Sequence, residues 1–250
     1  MGLDPGFDLF AVVAAPFVGS FLATLTLRWP DWRGALTGRS ACPHCRTPLS
    51  PRDLVPLLSW LWLGGECRHC EARIDRRYPL FELAATGIAL WAALTLPAGH
   101  APVACLLGWS LLALAAIDLR HFVLPDAITL PLMGSGLLVA AATGGTPALA
   151  TSAFGALLGY MLLAATAAIY LRLRGRDGLG LGDAKLLAAA GAWVGWYGLG
   201  AVLLAAIAAA LAIATLRWRR GLADGATPIA FGPYLAAATW IGALHGPLLG

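Results

Sequence analysis

Residues 9–27, LFAVVAAPFVGSFLATLTL, carry no charged side chain. A helix rises about 1.5 Å per residue, so this run is long enough to cross a hydrocarbon core of about 30 Å. Residues 1–8 contain no Lys or Arg. The run therefore lacks the basic start of a secretory signal peptide and reads as a retained membrane span. The rest of the chain agrees with this reading. Of its 250 residues, 59% are hydrophobic and only 12% are charged, about half the charge of a soluble domain. That composition excludes a water-soluble globule, and it is too apolar for a disordered chain.

Seven further apolar runs, 79–96, 101–117, 127–143, 150–171, 184–197, 198–216 and 229–249, bring the expectation to eight spans. The fold class is an all-α polytopic membrane protein in contact with lipid. The runs 184–197 and 198–216 can also be read as one helix kinked between Gly195 and Gly198. Two spans fit better, because a single helix would be too long for the bilayer and would carry Arg217, Arg219 and Arg220 to the other side. With eight spans, all 17 basic residues fall on one face: nine arginines from Arg28 to Arg77, then Arg120, then Arg172, Arg174, Arg176 and Lys185, then Arg217, Arg219 and Arg220. The positive-inside rule makes that face cytosolic. Topology alone accounts for the arginines, so no nucleic-acid partner is expected. The chain divides into a first transmembrane helix at 1–27, a cytosolic insertion at 28–78 and a helical bundle at 79–250.

The insertion holds Cys42-Pro43-His44-Cys45 and Cys67-Arg68-His69-Cys70. Two CxxC pairs supply four thiolates for a structural tetrahedral zinc site, which orders a small loop-rich unit that has little core of its own. Disulfides are the alternative, and the reducing cytosol disfavours them. His44 or His69 could replace a cysteine as ligand. Cys105, in the middle of an apolar run, reads as packing.

Ionisable residues at membrane depth are costly and mark candidate functional sites. Four acids qualify: Glu82, Asp118, Asp126 and Asp183. Asp126 follows Pro125 at a helix start, where a capping role is the plain reading. Asp183, in Gly180-Leu181-Gly182-Asp183-Ala184-Lys185, could cap as well, although Gly180 and Gly182 before it allow another backbone or substrate to come close; the Gly178, Gly180, Gly182 run is weak evidence for a dinucleotide fold. Asp118 stands at a helix C-terminus, where the dipole disfavours an anion, so capping does not explain it. The topology puts Asp118 and Asp183 at similar depth on the cytosolic side. Two carboxylates sharing a partly dry site hold one proton between them and can activate water for peptide hydrolysis. There is no HExxH, and His245 is the sole histidine within an expected span. The pair Gly155 and Gly159 reads as helix packing.

These motifs resemble the type IV prepilin peptidases, bacterial membrane aspartic proteases of the GxGD type. The matching runs are Gly19-Ser20-Phe21-Leu22, the two CxxC pairs, Leu57-Leu58-Ser59-Trp60, Arg77-Tyr78-Pro79-Leu80-Phe81-Glu82, Asp118 with Leu124-Pro125-Asp126, Gly180 to Lys185, and Phe231-Gly232-Pro233-Tyr234. The resemblance runs in order along nearly the whole chain. It implies that Asp118 and Asp183 are the catalytic pair and that the cysteines hold zinc. The implied substrates are prepilins or pseudopilins, cut after a glycine at the cytosolic face of the bacterial inner membrane. It also implies methylation of the new N-terminal amine from S-adenosylmethionine. The first motif commonly continues with asparagine, where this chain has Ala23, which bears on methylation.

Glu82 is a candidate for the methylation site, as an anion beside a sulfonium or as acceptor of the amine proton; the alternative is an ion pair with Arg77. Lys185 could hold Asp183 ionised or simply mark the interface. Glu66, Glu71 and Asp75 are candidate contacts for the basic leader, or solvated surface. A non-enzymatic ion-coupled transporter with a zinc-stabilised loop, and a methyltransferase or scaffold without proteolysis, are the rival readings.

Overall fold

The computed structural model describes residues 6–32, 40–175, 180–222, 224, 227–246 and 249. Gly178, Arg33, Arg39 and Arg176 lie outside the described residues. The helices are α1 (Gly6–Leu27), α2 (Leu58–Trp62), α3 (Arg77–Thr95), α4 (Ala101–His121), α5 (Asp126–Arg174), α6 (Leu181–Arg219) and α7 (Gly232–Leu244). No strand forms among the described residues, in keeping with the all-α expectation.

Five helices, α1, α3, α4, α5 and α6, are long and apolar enough to cross a membrane, which makes this a multi-pass membrane protein. The final expected span, 229–249, contains a helix of only 13 residues, about 20 Å long and short of a full crossing. His245 lies just past that helix, exposed, instead of within it. The two longest helices are each interrupted. At 49 residues, α5 would reach about 73 Å if straight, but Gly145 breaks it with φ 62° and ψ −151°. Gly195 breaks α6 with φ 67° and ψ 178°, within the stretch where the sequence places a kink. Both conformations have positive φ, which glycine adopts without a Cβ clash.

Contacts divide the chain into two compact units, Met1–Trp109 and Ser110–Gly250. In the first, small residues Ala11, Ala15, Gly19 and Ala23 recur every four positions along the buried side of α1, and Ala85, Ala89 and Ala92 are buried on α3. This spacing lets the two backbones approach. A Cβ at Gly19 would stand 2.6 Å from both the Phe81 carbonyl oxygen and the Glu82 Cα. Cys105 packs with Ala11, Ala15 and Ala89, as expected of a core residue. The Asp8 carboxylate accepts the backbone N–H groups of Gly99 (2.6 Å) and Ala101 (3.0 Å), meeting part of the unpaired donor set where α4 begins.

In the second unit the same device joins α5 to α6. A Cβ at Gly155 or Gly159 would come within 2.6 Å of the Gly191 or Leu187 carbonyl oxygen, so the GxxxG does serve packing. Trp193, fully buried, donates its indole N–H to the Leu132 carbonyl at 2.9 Å. This ties the first arm of α6 to the first arm of α5 and sets where the start of each helix stands.

Candidate active site and thiol cluster

Two turns built alike carry the four cysteines. In the first, the Cys42 N–H bonds the Thr47 carbonyl (3.0 Å) and the Arg46 N–H bonds the Cys42 carbonyl (2.9 Å); in the second, Cys67 bonds Ala72 and Glu71 bonds Cys67, each at 2.9 Å. Arg46 and Glu71 both have positive φ, 58° and 56°. Short antiparallel bridges, Ala41 to Pro48 and Glu66 to Arg73, close each turn. The insertion is therefore an internal repeat of one knuckle.

The four Sγ atoms lie within 4.8 Å of one another and all four thiols are free. The Cys42 and Cys70 sulfurs are 3.8 Å apart. A zinc tetrahedron with metal–sulfur bonds of about 2.3 Å has edges of about 3.8 Å, so the cluster fits that ion. Hydrogen bonds from the Thr47 side chain and then its backbone N–H push the Cys45 thiol down to about 6, which favours the ligating thiolate at neutral pH. Four thiols suffice, and neither His44 nor His69 joins the cluster. Asp53 braces the two knuckles. Its carboxylate takes the Ser50 hydroxyl at 2.7 Å and the Arg68 guanidinium at 2.8 Å. The Ser50 hydrogen bond first, and then Arg68, hold its carboxyl below the usual carboxylate range.

Beside the knuckles lies a cavity of about 610 Å³, lined by Ser20, Thr24, Trp60, Tyr78 and Glu82 among others. Glu82 is buried at 5% exposure. Its Oε2 accepts the Leu57 N–H at 2.7 Å, and Ser20 lines the cavity with it. The expected ion pair with Arg77 does not form, because Arg77 turns back to Asp75 at 2.8 Å. Asp75 is thereby occupied as a leader contact. Leu57 has φ 61° and ψ −51°, and the Leu58 N–H reaches back to the Pro56 carbonyl at 2.6 Å. This is a γ-turn of the rare, strained hand, held by the bond to Glu82. Ala23 is fully buried in the packed side of α1 and does not line the cavity.

In the second unit Asp118 stands in the last turn of α4, 5% exposed. Its Oδ2 accepts the Gly232 N–H at 2.9 Å, where α7 begins. Asp183 lies in the first turn of α6, within electrostatic reach of Asp118. The residue capping α6 is Gly180, with Asp183 three residues on in the first turn. Gly182 leaves room for Leu124, whose Cβ would be 3.1 Å from an added Cβ.

Asp126 is likewise not the cap expected of it. Pro125 holds that position, and both Asp126 oxygens receive the Lys185 ammonium at 2.7 Å. Lys185 therefore joins the starts of α5 and α6 and does not pair with Asp183. The chemistry of Gly232, Leu57 and Ser20 does not mark them as site residues in the sequence. Gly232 had one signal, a glycine–proline helix start in the Phe231 to Tyr234 motif.

The fold and site define a multi-pass helical membrane protein with two aspartates at helix ends within electrostatic reach of each other and a four-thiol cluster that could hold a metal ion. Residues 13–96 match the bacterial peptidase A24 N-terminal domain, and residues 105–215 match the type IV leader peptidase family. The prepilin leader peptidase/N-methyltransferase of Aeromonas hydrophila is 45% identical over 211 residues, covering 83% of this chain and 72% of that protein. The proteins of the same name from Burkholderia pseudomallei strain 1026b and Pseudomonas aeruginosa are 41% and 38% identical, over 94% and 96% of this chain and 84% and 91% of their own lengths. No solved structure matches. The chain belongs to the type IV leader peptidase family. Membership in a peptidase family decides against the transporter reading.

Proposed function

We propose that this chain cleaves the basic leader from prepilins or pseudopilins, after a glycine, at the cytosolic face of the bacterial inner membrane, and then methylates the new N-terminal amine. The observation that carries the proteolytic half is the convergence of Asp118 and Asp183 on two helix ends. One carboxylate takes a proton from water, while the other, protonated, polarises the scissile carbonyl and then donates to the leaving amine. Gly232 occupies Oδ2 of Asp118, which leaves Oδ1 to address the water. The interruptions at Gly145 and Gly195 support two crossings for each of α5 and α6, which with α1, α3 and α4 makes seven, and α7 enters the bilayer as a short final segment. That arrangement places every Lys and Arg, the knuckles and both aspartates on the cytosolic side.

The methylation half rests on the cavity at Glu82. Its volume of about 610 Å³ is ample for a nucleoside-sized ligand, and its lining is mixed: Trp60, Tyr78 and Glu82 suit a cationic sulfonium, while Arg28, Arg68, Arg73 and Arg76 add positive charge to the same wall. S-adenosylmethionine bound there supplies the methyl group. Trp60 and Tyr78 offer aromatic faces for the cation, and Glu82 is placed to receive the amine proton. Ala23, lying outside this cavity, does not argue against the activity. Cys42, Cys45, Cys67 and Cys70 hold zinc and fix the cavity wall. Glu66 and Glu71 at the knuckles remain the acidic contacts available to a basic leader.

Cleavage of a prepilin in membranes carrying Asp118→Ala or Asp183→Ala tests the proposal. Loss of cleavage in both variants, with the proteins inserted normally, is the expected result. Undiminished cleavage by either removes that aspartate from the pair.

A further inference from the structure

The short helix α2 interrupts the polar insertion with Leu58-Ser59-Trp60-Leu61-Trp62. Its two sides differ in what they meet. Ser59, Trp60 and then Leu63 line the cavity. Leu58, Leu61 and Trp62, at positions i, i+3 and i+4, share the opposite face and are 51%, 65% and 81% exposed. A tryptophan and two leucines on one face make an apolar patch that water does not favour.

The structure also fixes how deep this face sits. The Leu57 N–H is bonded to Glu82 at 2.7 Å, which pins the start of α2 to the sixth residue of the α3 span. At 1.5 Å per residue, Glu82 is about 7.5 Å beyond Arg77 along that helix. Interfacial helices seat their apolar face about 5–10 Å into the boundary between headgroups and acyl chains. Near Glu82 on α3, Leu80 and Leu83 are exposed on a membrane-crossing helix, so their surroundings are lipid. The outer face of α2 continues that surface. Arg52 in the same insertion is exposed and forms no ion pair among the described residues, and it provides a cation that anionic headgroups attract, while Arg73 and Arg76, also exposed, line the cavity.

We propose that α2 is a membrane-interface anchor, its Leu58–Leu61–Trp62 face seated in an anionic phospholipid bilayer, so that the thiol knuckles and the cavity floor are held against the membrane at the level of Glu82. The knuckle unit is thus not a free cytosolic domain on two tethers. Its cavity opens at the height where the first residues of a membrane-embedded helix would emerge.

The test uses the full chain in native membranes, with a photo-crosslinking amino acid replacing Trp62 or, separately, Leu61. A replacement at Leu94, 83% exposed on α3, serves as the lipid-facing reference, and one at His69, on the exposed tip of a knuckle, as the aqueous reference. Bound zinc, measured on each variant, confirms that the insertion is formed. The expected result is a phospholipid adduct at both α2 positions comparable with that at Leu94 and about tenfold above that at His69. Adducts to a prepilin or to a second copy of the chain, or lipid labelling no higher than at His69, would overturn the proposal.

Discussion

Replacing Gly232 with alanine should separate the two proposed activities. The added Cβ would lie 2.7 Å from Oδ2 and 3.0 Å from Cγ of Asp118, and 3.2 Å from the Leu124 Cδ2. A carbon–oxygen contact normally stands at about 3.3 Å or more, so the carboxylate must retreat by roughly 0.6 Å. Leu124 blocks part of the retreat, and it also fills the space beside Gly182. Catalytic groups need placement within about 0.5 Å, and a misplacement of about 1 Å costs about 10²-fold in rate. The hydrogen bond from Gly232 stretches at the same time; one to a charged acceptor contributes about 1.5–3 kcal/mol, which corresponds to about 13- to 160-fold. Both routes give a fall of roughly 10²-fold in the kcat for prepilin cleavage, with KM little changed. The assay is initial-rate cleavage in membranes, run beside methylation of an already cleaved pilin peptide, a reaction assigned to residues of the other unit. Methylation should persist. Cleavage within about threefold of the wild type would refute the claim that the Gly232 backbone positions Asp118.

Three further outcomes are expected. Cys67→Ser should release zinc and expose residues 40–75 to protease, because the metal links two knuckles that bury little apolar surface; protease resistance unchanged in the metal-free variant would contradict this. Glu82→Gln keeps an oxygen for the Leu57 N–H but removes the charge, so cleavage and zinc content should hold while methylation falls; Glu82→Ala leaves that N–H unmatched at about 1–3 kcal/mol and should also loosen the insertion, as read by proteolysis. The depressed Asp53 carboxyl stabilises the folded insertion above the ordinary carboxylate range, and that contribution is lost as pH falls through the folded value; the difference in protease resistance between wild type and Asp53→Asn should therefore be present near neutrality and vanish in acid, and a difference that grew on acidification would reverse the assigned sign.

What the sequence reveals, and what it conceals, follows from the range of the interactions. Uncharged runs report spans because lipid contact acts on each residue separately, and the glycines at 195–198 announce a break because backbone freedom is local. The cysteine spacing is equally legible, since a CxxC turn is a local structure; the repeat relating Cys42 to Cys67 emerges from the hydrogen bonds of both turns. The partners of the acids were misjudged where they depend on packing between distant segments. Lys185 finds Asp126 across 59 residues only because Gly155, Gly159 and Trp193 bring α5 onto α6. Glu82 finds Leu57 and not Arg77 because Asp75, two residues away, captures the arginine first. Asp118 and Asp183 stand out as candidates in the sequence because a charge at the end of an apolar run is a local signal.

The central claim is that one chain removes the leader at the Asp118 and Asp183 site and methylates the exposed amine at the Glu82 cavity. Mass spectrometry of a prepilin N-terminus after incubation with membranes carrying wild type, Asp183→Asn or Glu82→Gln tests it most directly. The account predicts a cleaved and methylated product from the wild type, an intact leader with Asp183→Asn, and a cleaved but unmethylated product with Glu82→Gln. A leader removed normally by Asp183→Asn, or full methylation by Glu82→Gln, would contradict it.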